Sequence, residues 1–146
     1  MEPAARATRL EDYPLRSHDK LRYGDTDRQG HVNNAVFSTF LETGRVEMVY
    51  DPGGAFTDAG CSFVIAHLSL DFLSEMLWPG RVDIGTRVQA IGRSSLTLDQ
   101  ALFQDGKLVA RARTVMVQVN DATHRSQALS PAQVAHVQTY RAGAPG

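Results

Sequence analysis

The stretch 23-YGDTDRQGHVNNAVFSTFLETGRVEMVY-50 carries the reading of the fold, because its two halves obey different rules. The first, Tyr23 to Asn34, sets two carboxylates, a histidine and a pair of asparagines around Gly24 and Gly30. The second brings Val36, Phe37, Phe40, Leu41, Gly44 and Met48 round at helical spacing, with Ala35 and Val49 widening the stripe. That spacing predicts a well-buried helix from Ala35 to Tyr50. Asn33 or Asn34 is its N-cap candidate. Asp51-Pro52-Gly53-Gly54 stops it and opens a flexible loop to about Gly60. A helix start gathers unpaired N–H groups and the positive end of the helix dipole. An acid beside such a start can act as nucleophile or base while a free N–H polarises a carbonyl.

Beyond this helix the period drops to two. Val64, Ala66, Leu68, Leu70 and Phe72 alternate with Ile65, His67, Ser69 and Asp71; Val82, Ile84, Thr86, Val88 and Ala90 alternate with Asp83, Gly85, Arg87 and Gln89. Leu96, Leu98 and Leu102 alternate with Thr97, Asp99 and Ala101. These read as half-buried antiparallel strands. Asp105-Gly106 is a two-residue hairpin signal. The strand after it, Lys107 to Val119, is apolar on both faces around Val115, Met116 and Val117, which predicts a central position. Ser130-Pro131 opens a short helix that docks through Val134, Val137 and Tyr140. On the N-terminal side, Lys20-Leu21-Arg22-Tyr23 reads as a short strand.

The expected organisation is an N-terminal arm over 1–18, one α+β domain over 19–122, and a C-terminal segment with a short helix over 123–146. One strand, one long helix and a four-strand meander bury the helix only if the sheet curls around it. A curled sheet leaves an edge strand open, and pairing with a second copy closes it. A homodimer is therefore expected.

Bulk properties narrow the classes. The 146 residues suit one domain, and 42% hydrophobic with 21% charged residues is an ordinary soluble composition. A net charge of −1 supplies no global basic field for nucleic acid or an anionic membrane. Cys61 is the sole cysteine, so neither an intrachain disulfide nor a cysteine zinc cluster can form, in keeping with a reducing compartment. The N-terminus shows no continuous apolar h-region, and no apolar run approaches a membrane span. A cytoplasmic location is expected.

The order of elements, with the motif Asp25-x-Asp27, three residues, His31-Val32-Asn33-Asn34 and then Leu41-Glu42 and Arg45 on the helix, resembles the hotdog-fold acyl-CoA thioesterases of the 4-hydroxybenzoyl-CoA thioesterase type. Ile91-Gly-Arg-Ser-Ser95 is similar to that family's strand-to-strand corner. The resemblance covers roughly residues 19 to 120. It implies an antiparallel sheet wrapped around the helix, a dimer forming one continuous sheet, often a tetramer, and an active site at the dimer interface. It places the catalytic carboxylate on Asp27 and the carbonyl-polarising backbone N–H at Asn34 or its neighbour. It implies an acyl-CoA substrate, no separate cofactor and no metal.

The chemistry is compatible with that assignment. A thioester carbonyl has weak resonance and its thiolate leaves readily, so one ionised carboxylate plus oxyanion donors can suffice. Asp27 can attack to form a mixed anhydride or activate a water; both routes stay open, as does the plain alternative of a turn or cap residue. Asp25 is read as structural. His31 is a base, a ligand contact or, more commonly for a lone histidine, a structural hydrogen-bonder. Glu42, two turns along the helix, is the reserve acid, with a solvated or Arg45-paired role as the alternative. Arg93, Ser94 and Ser95 suit the phosphates of coenzyme A, against an ordinary polar turn. Arg111 and Arg113 share a strand face and either meet phosphates, face solvent or pair with Asp99.

An EF-hand from Asp25 fails, because its twelfth position is Val36. An Asp-x-Asp phosphatase fails for want of a parallel α/β core. Hydrolysis of acyl carrier protein thioesters and a non-catalytic acyl-thioester binding module are the competing functions.

Overall fold

The computed structural model describes residues 8–50 and 57–141. Its elements are a 3-10 turn at Leu10–Asp12, β1 Leu15–Lys20, a second 3-10 turn at Tyr23–Asp25, α1 Asn34–Val49, β2 Cys61–Phe72, β3 Arg81–Ile91, β4 Ser95–Gln104, β5 Lys107–Asn120 and α2 Pro131–Gln138. The strands form one antiparallel sheet in the order β1-β3-β4-β5-β2. The helix-stopping signal at Asp51–Gly54 lies outside the described residues.

The long helix forms where its spacing predicts. Asn33 is the N-cap, its side chain accepting from the Ala35 N–H, and Phe37, Phe40, Leu41, Gly44, Met48 and Val49 are buried. Gly44 lets the helix sit close on the sheet: a Cβ there would stand 2.6 Å from Thr86 Oγ1 and 2.9 Å from Ile84 Cγ2. The helix lies over β3, β1 and β4. The core falls between it and the inner face of the sheet, with Leu21, Val82, Ile84, Leu102 and Ala110 toward its N-terminal half and Val88, Leu96, Leu98 and Met116 toward its C-terminal half.

Four details depart from the sequence-based expectation. The first strand is Leu15–Lys20 rather than 20–23, inside residues read as an arm, and Tyr23 belongs to a 3-10 turn. Its pattern was hidden because the residue it buries is Ser17, whose hydroxyl donates to Glu47 Oε1, and not an apolar one. Next, the meander is limited to β3-β4-β5, because β2 crosses over to pair with β5. As a result β5 is interior, while the middle strand is β4. Third, β2 carries a bulge between Ile65 and His67. The extra residue flips the alternation, so Phe63 and Ile65 share the inner face with Leu68, Leu70 and Phe72 through their partners Gln118, Met116, Thr114, Ala112 and Ala110.

The fourth is Arg45, which is buried on the core side of α1. Its Nη1 donates to Gln100 Oε1 at 3.3 Å, and Gln100 Nε2 in turn donates to the Leu41 carbonyl and Thr86 Oγ1, both at 3.0 Å. Burial pushes its guanidinium below its ordinary pKa, with the Glu42 charge pulling the other way.

The hairpin and the last helix follow their signals. Asp105 and Gly106 both take positive φ, 51° and 80°, as a type I′ turn requires. In α2, Ser130 accepts from the Gln133 N–H while the Gln133 side chain reaches back, with Pro131 in the first turn. Val137 is fully buried against the Met48 and Val88 cluster, with Tyr140 packed partly beside it. No helix among the described residues is long and apolar enough to cross a membrane.

Candidate active site

The loop before α1 is a small hairpin organised by its two aspartates, which do different jobs. Asp25 is buried at 2% exposure. Its Oδ2 accepts the Arg22 N–H at 2.9 Å, its Oδ1 accepts Arg22 Nη2 at 2.8 Å, and its carbonyl accepts the Asn33 N–H at 2.8 Å. The Arg22 hydrogen bonds hold the Asp25 carboxyl below the ordinary carboxylate range, against the opposing effect of desolvation. Asp25 is thus the structural member of the pair, as expected.

Asp27 is exposed. Its N–H donates to the His31 carbonyl at 2.7 Å and its carbonyl accepts the Gly30 N–H at 3.1 Å, closing the hairpin. Oδ1 accepts the N–H groups of Gln29 at 2.8 Å and His31 at 3.2 Å. Oδ2 has no partner among the described residues. The turn role weighed for Asp27 is therefore present, yet it occupies only one carboxylate oxygen.

The helix cap leaves one open donor. Of the first three helical N–H groups, that of Ala35 goes to Asn33 Oδ1 at 2.9 Å and that of Val36 to the Asn33 carbonyl at 2.9 Å. The Asn34 N–H has no partner among the described residues. Asn34 and Asp27 line one hollow of about 420 Å³, with His31, Phe37, Phe72, Leu73 and Glu75 among its other walls. Asp27, with one carboxylate oxygen unpartnered among the described residues, and Asn34, with its N–H likewise unpartnered, thus line one cavity with an aromatic wall, where Phe37 and Phe72 meet edge-to-face at 5.1 Å between ring centres. Such an N–H suits the developing charge on a carbonyl oxygen.

His31 serves this site through its backbone, which holds Asp27, while its ring Nε2 lies 3.5 Å from Glu75 Oε2. Glu75 and Leu73 escaped the sequence reading because the 73–80 link has no periodicity. What brings it here is the Val32 N–H donating to the Met76 carbonyl at 2.8 Å and the bridge between His31 and Leu77.

The remaining candidates lie elsewhere in the chain. Glu42 is eight residues beyond Asn34, about 12 Å along the helix axis, in a separate hollow with Arg45, Val46 and Ile65. No ion pair joins it to Arg45 among the described residues. Arg93, Ser94 and Ser95 form the β3–β4 corner, their carbonyls accepting from Leu129, Gln118 and Gly92. The helix start is tied to the other end of β4, where Gln104 exchanges hydrogen bonds with the Leu77 backbone at 2.9 and 2.7 Å. The ten residues of β4 separate the two ends by roughly 30 Å. On the outer face of the sheet, Asp99 Oδ2 pairs with Arg87 at 2.6 Å and Arg111 at 3.5 Å, so Arg111 takes the pairing weighed for it, while Arg113 is exposed. Among the described residues no group of three or more His, Cys, Asp or Glu could hold a metal ion.

Residues 21–137 match the Thioesterase-like superfamily, more than half of the chain. Similar solved structures include the PA5185 protein of Pseudomonas aeruginosa strain PAO1, 25% identical, with a TM-score of 0.83 over 94% of this chain and 98% of that one. Another is a thioesterase from Thermus thermophilus complexed with coenzyme A and Zn, 28% identical, with a TM-score of 0.76 over 93% and 99%. A DHNA-CoA thioesterase from Staphylococcus aureus, 19% identical with a TM-score of 0.74 over 86% and 87%, shares the fold. The five-stranded antiparallel sheet with its one long helix is the hotdog fold, shared with these solved structures.

Proposed function

The chain belongs to the Thioesterase-like superfamily, is a thioester hydrolase, and we propose that it cleaves an acyl-CoA to a carboxylic acid and CoA. The observation that carries this reading is the pairing of an open Asp27 carboxylate oxygen with the open Asn34 N–H in one hollow. The CoA complex of the Thermus thermophilus thioesterase supports the choice of thioester.

In this mechanism the substrate carbonyl oxygen takes the Asn34 N–H, with the helix dipole behind it. Asp27 Oδ2 then acts in one of two ways. As a base it takes a proton from water, the water oxygen bonds to the carbonyl carbon, the C–S bond breaks and the thiolate recovers a proton. As a nucleophile Oδ2 itself bonds to that carbon, the thiolate leaves, and water cleaves the mixed anhydride. The Gln29 and His31 N–H groups on Oδ1 aim the carboxylate in both. Placing the acid on the second aspartate of the motif is the arrangement of the 4-hydroxybenzoyl-CoA thioesterase type, whatever the acyl group.

We further propose a homodimer, with a tetramer as its natural extension. The open edge strand β2 supports this. Antiparallel pairing of β2 with its copy reverses the ends of the second chain. A second copy's Arg93–Ser95 corner then approaches the Asp27 end of the first, where it can meet the CoA phosphates.

Asp27→Asn is expected to lower kcat/KM by about 10²–10⁴-fold in a folded protein, measured by thiol release over short, long and aromatic acyl-CoAs. Near wild-type turnover would remove Asp27 from the mechanism, and loss on Glu42→Gln instead would move the acid to the helix. Wild-type binding without turnover of any thioester would favour a binding module.

A further inference from the structure

The hollow at Asp27, lined by Phe72, and a second hollow at the far end of α1, lined by Ile65, stand at the two ends of a row of apolar residues on β2. Because α1 lies mainly over β3, β1 and β4, the inner face of β2 is only partly covered: Leu70 and Phe63 pack against the core and Phe72 meets Phe37 edge-to-face. Phe72, Leu68 and Ile65 on that face are 49%, 37% and 47% exposed, although large apolar side chains on an inner sheet face are ordinarily covered. The bulge in β2 is what places Ile65 in this row. At the far end α1 and β2 enclose a second hollow of about 190 Å³, walled by Val46, Val49, Phe63, Ile65 and Met116. Two charged residues border it, but Arg45 donates inward to Gln100 and Glu42 is exposed.

Resting on the acyl-CoA thioesterase reading, we propose that this row joins the two hollows into one acyl crevice and that its occupant is a long, straight, saturated acyl chain. The carbonyl sits at the Asn34 N–H and the tail ends against Ile65 and Met116. Phe72, which lines the reactive hollow, gives the chain its entrance, and Leu68, Ile65, Val46, Val49, Phe63 and Met116 supply apolar contact beyond it, with the polar groups of the far hollow limited to Glu42, Arg45 and Tyr50. Length selects the class. From Asn34 to Val46 is twelve residues, about 18 Å at 1.5 Å each. An extended chain advances about 3.3–3.6 Å per three bonds, so a saturated chain spans the crevice in about fifteen bonds. An aromatic acyl group would fill the first hollow and leave Leu68 and Ile65 in water. A second copy paired along the backbone edge of β2 would roof the crevice without filling it, since inner-face side chains point away from that edge.

Ile65→Trp, at a half-exposed position, blocks the far hollow. Displacing three methylenes at about fourfold each should lower kcat/KM for palmitoyl-CoA by about 60-fold, with butyryl-CoA and benzoyl-CoA within twofold of wild type. Ile65→Ala should give a smaller loss in the same direction. Equal effects on long and short substrates, a wild-type preference for benzoyl-CoA, or dissociation of Ile65→Trp to monomers by light scattering with all substrates slowed alike would overturn the proposal. Absence of wild-type turnover on every thioester would instead break the thioesterase reading. The crevice is then decided by the thioethers S-hexadecyl-CoA and S-butyl-CoA. Tighter binding of the former, lost in Ile65→Trp, supports it, and equal binding overturns it.

Discussion

The two ends of α1 are built to opposite rules. At the C-terminal end Met48 and Val49 are buried among Val88, Leu96 and Val137. There α2 closes the sheet, with His136 Nε2 3.2 Å from the Met48 carbonyl and the Val88 N–H donating to the Tyr140 carbonyl at 2.6 Å. At the N-terminal end the same helix begins in an exposed hairpin, and after the cap has used the Ala35 and Val36 donors the Asn34 N–H is left over. A donor left unused by the cap and standing near a carboxylate is available to a ligand, which is why the proposed mechanism puts the substrate carbonyl there. On the side facing α2 the sealed end contributes stability, while its β2 side borders the far hollow.

The sharpest way to break this contrast is Asn34→Pro. Proline removes the backbone N–H, and the Asn34 carboxamide with it, without breaking the helix, because the first helical position tolerates it and Asn33, at φ −61° and ψ 136°, already has the conformation a residue before proline prefers. Turnover should fall by about 10²–10³-fold, as for loss of an oxyanion donor, while the urea midpoint stays near wild type. Retained activity would move the oxyanion site away from Asn34. The opposite signature belongs to Val137→Ala. Emptying a fully buried valine site should cost about 2 kcal/mol in urea unfolding, with kcat/KM within twofold. Lost turnover in a variant of unchanged stability would show that the sealed end also takes part in the reaction.

The same contrast explains what was legible beforehand. α1, the Asp105-Gly106 hairpin and the Ser130-Pro131 cap are local structures whose residues carry their own geometry, and each appears where its pattern lies. The Asp27 and Asn34 pairing was legible for the same reason, since seven residues of one hairpin bring them together. Glu75 and Phe72 reach the hollow through long-range contacts, which no spacing encodes. The strand order depends on β2 crossing to β5, a choice that the alternation of β2 leaves open. Arg45 misleads because its burial is made tolerable by Gln100, 55 residues away. Arg93 to Ser95 lie at the far end of β4, so the phosphate-binding role proposed for them requires a second chain, which one sequence does not display.

Within the open end, the contrast between Asp25 and Asp27 gives the smallest effect. Asp25 is buried and paired with Arg22, and its folded pKa lies below the ordinary carboxylate value of 3.8. A depressed carboxylate stabilises the fold above its unfolded pKa and loses that contribution as pH falls through the folded one. Arg22 is largely exposed, so solvent weakens the pair. Asp25→Asn should therefore lower the melting temperature by only a few degrees at pH 7, and the two melting curves should converge as pH falls below the carboxylate range. A constant gap between wild type and Asp25→Asn from neutral to acid pH would mean that Asp25 acts through shape alone. The division between a structural and a reactive aspartate would then need another basis.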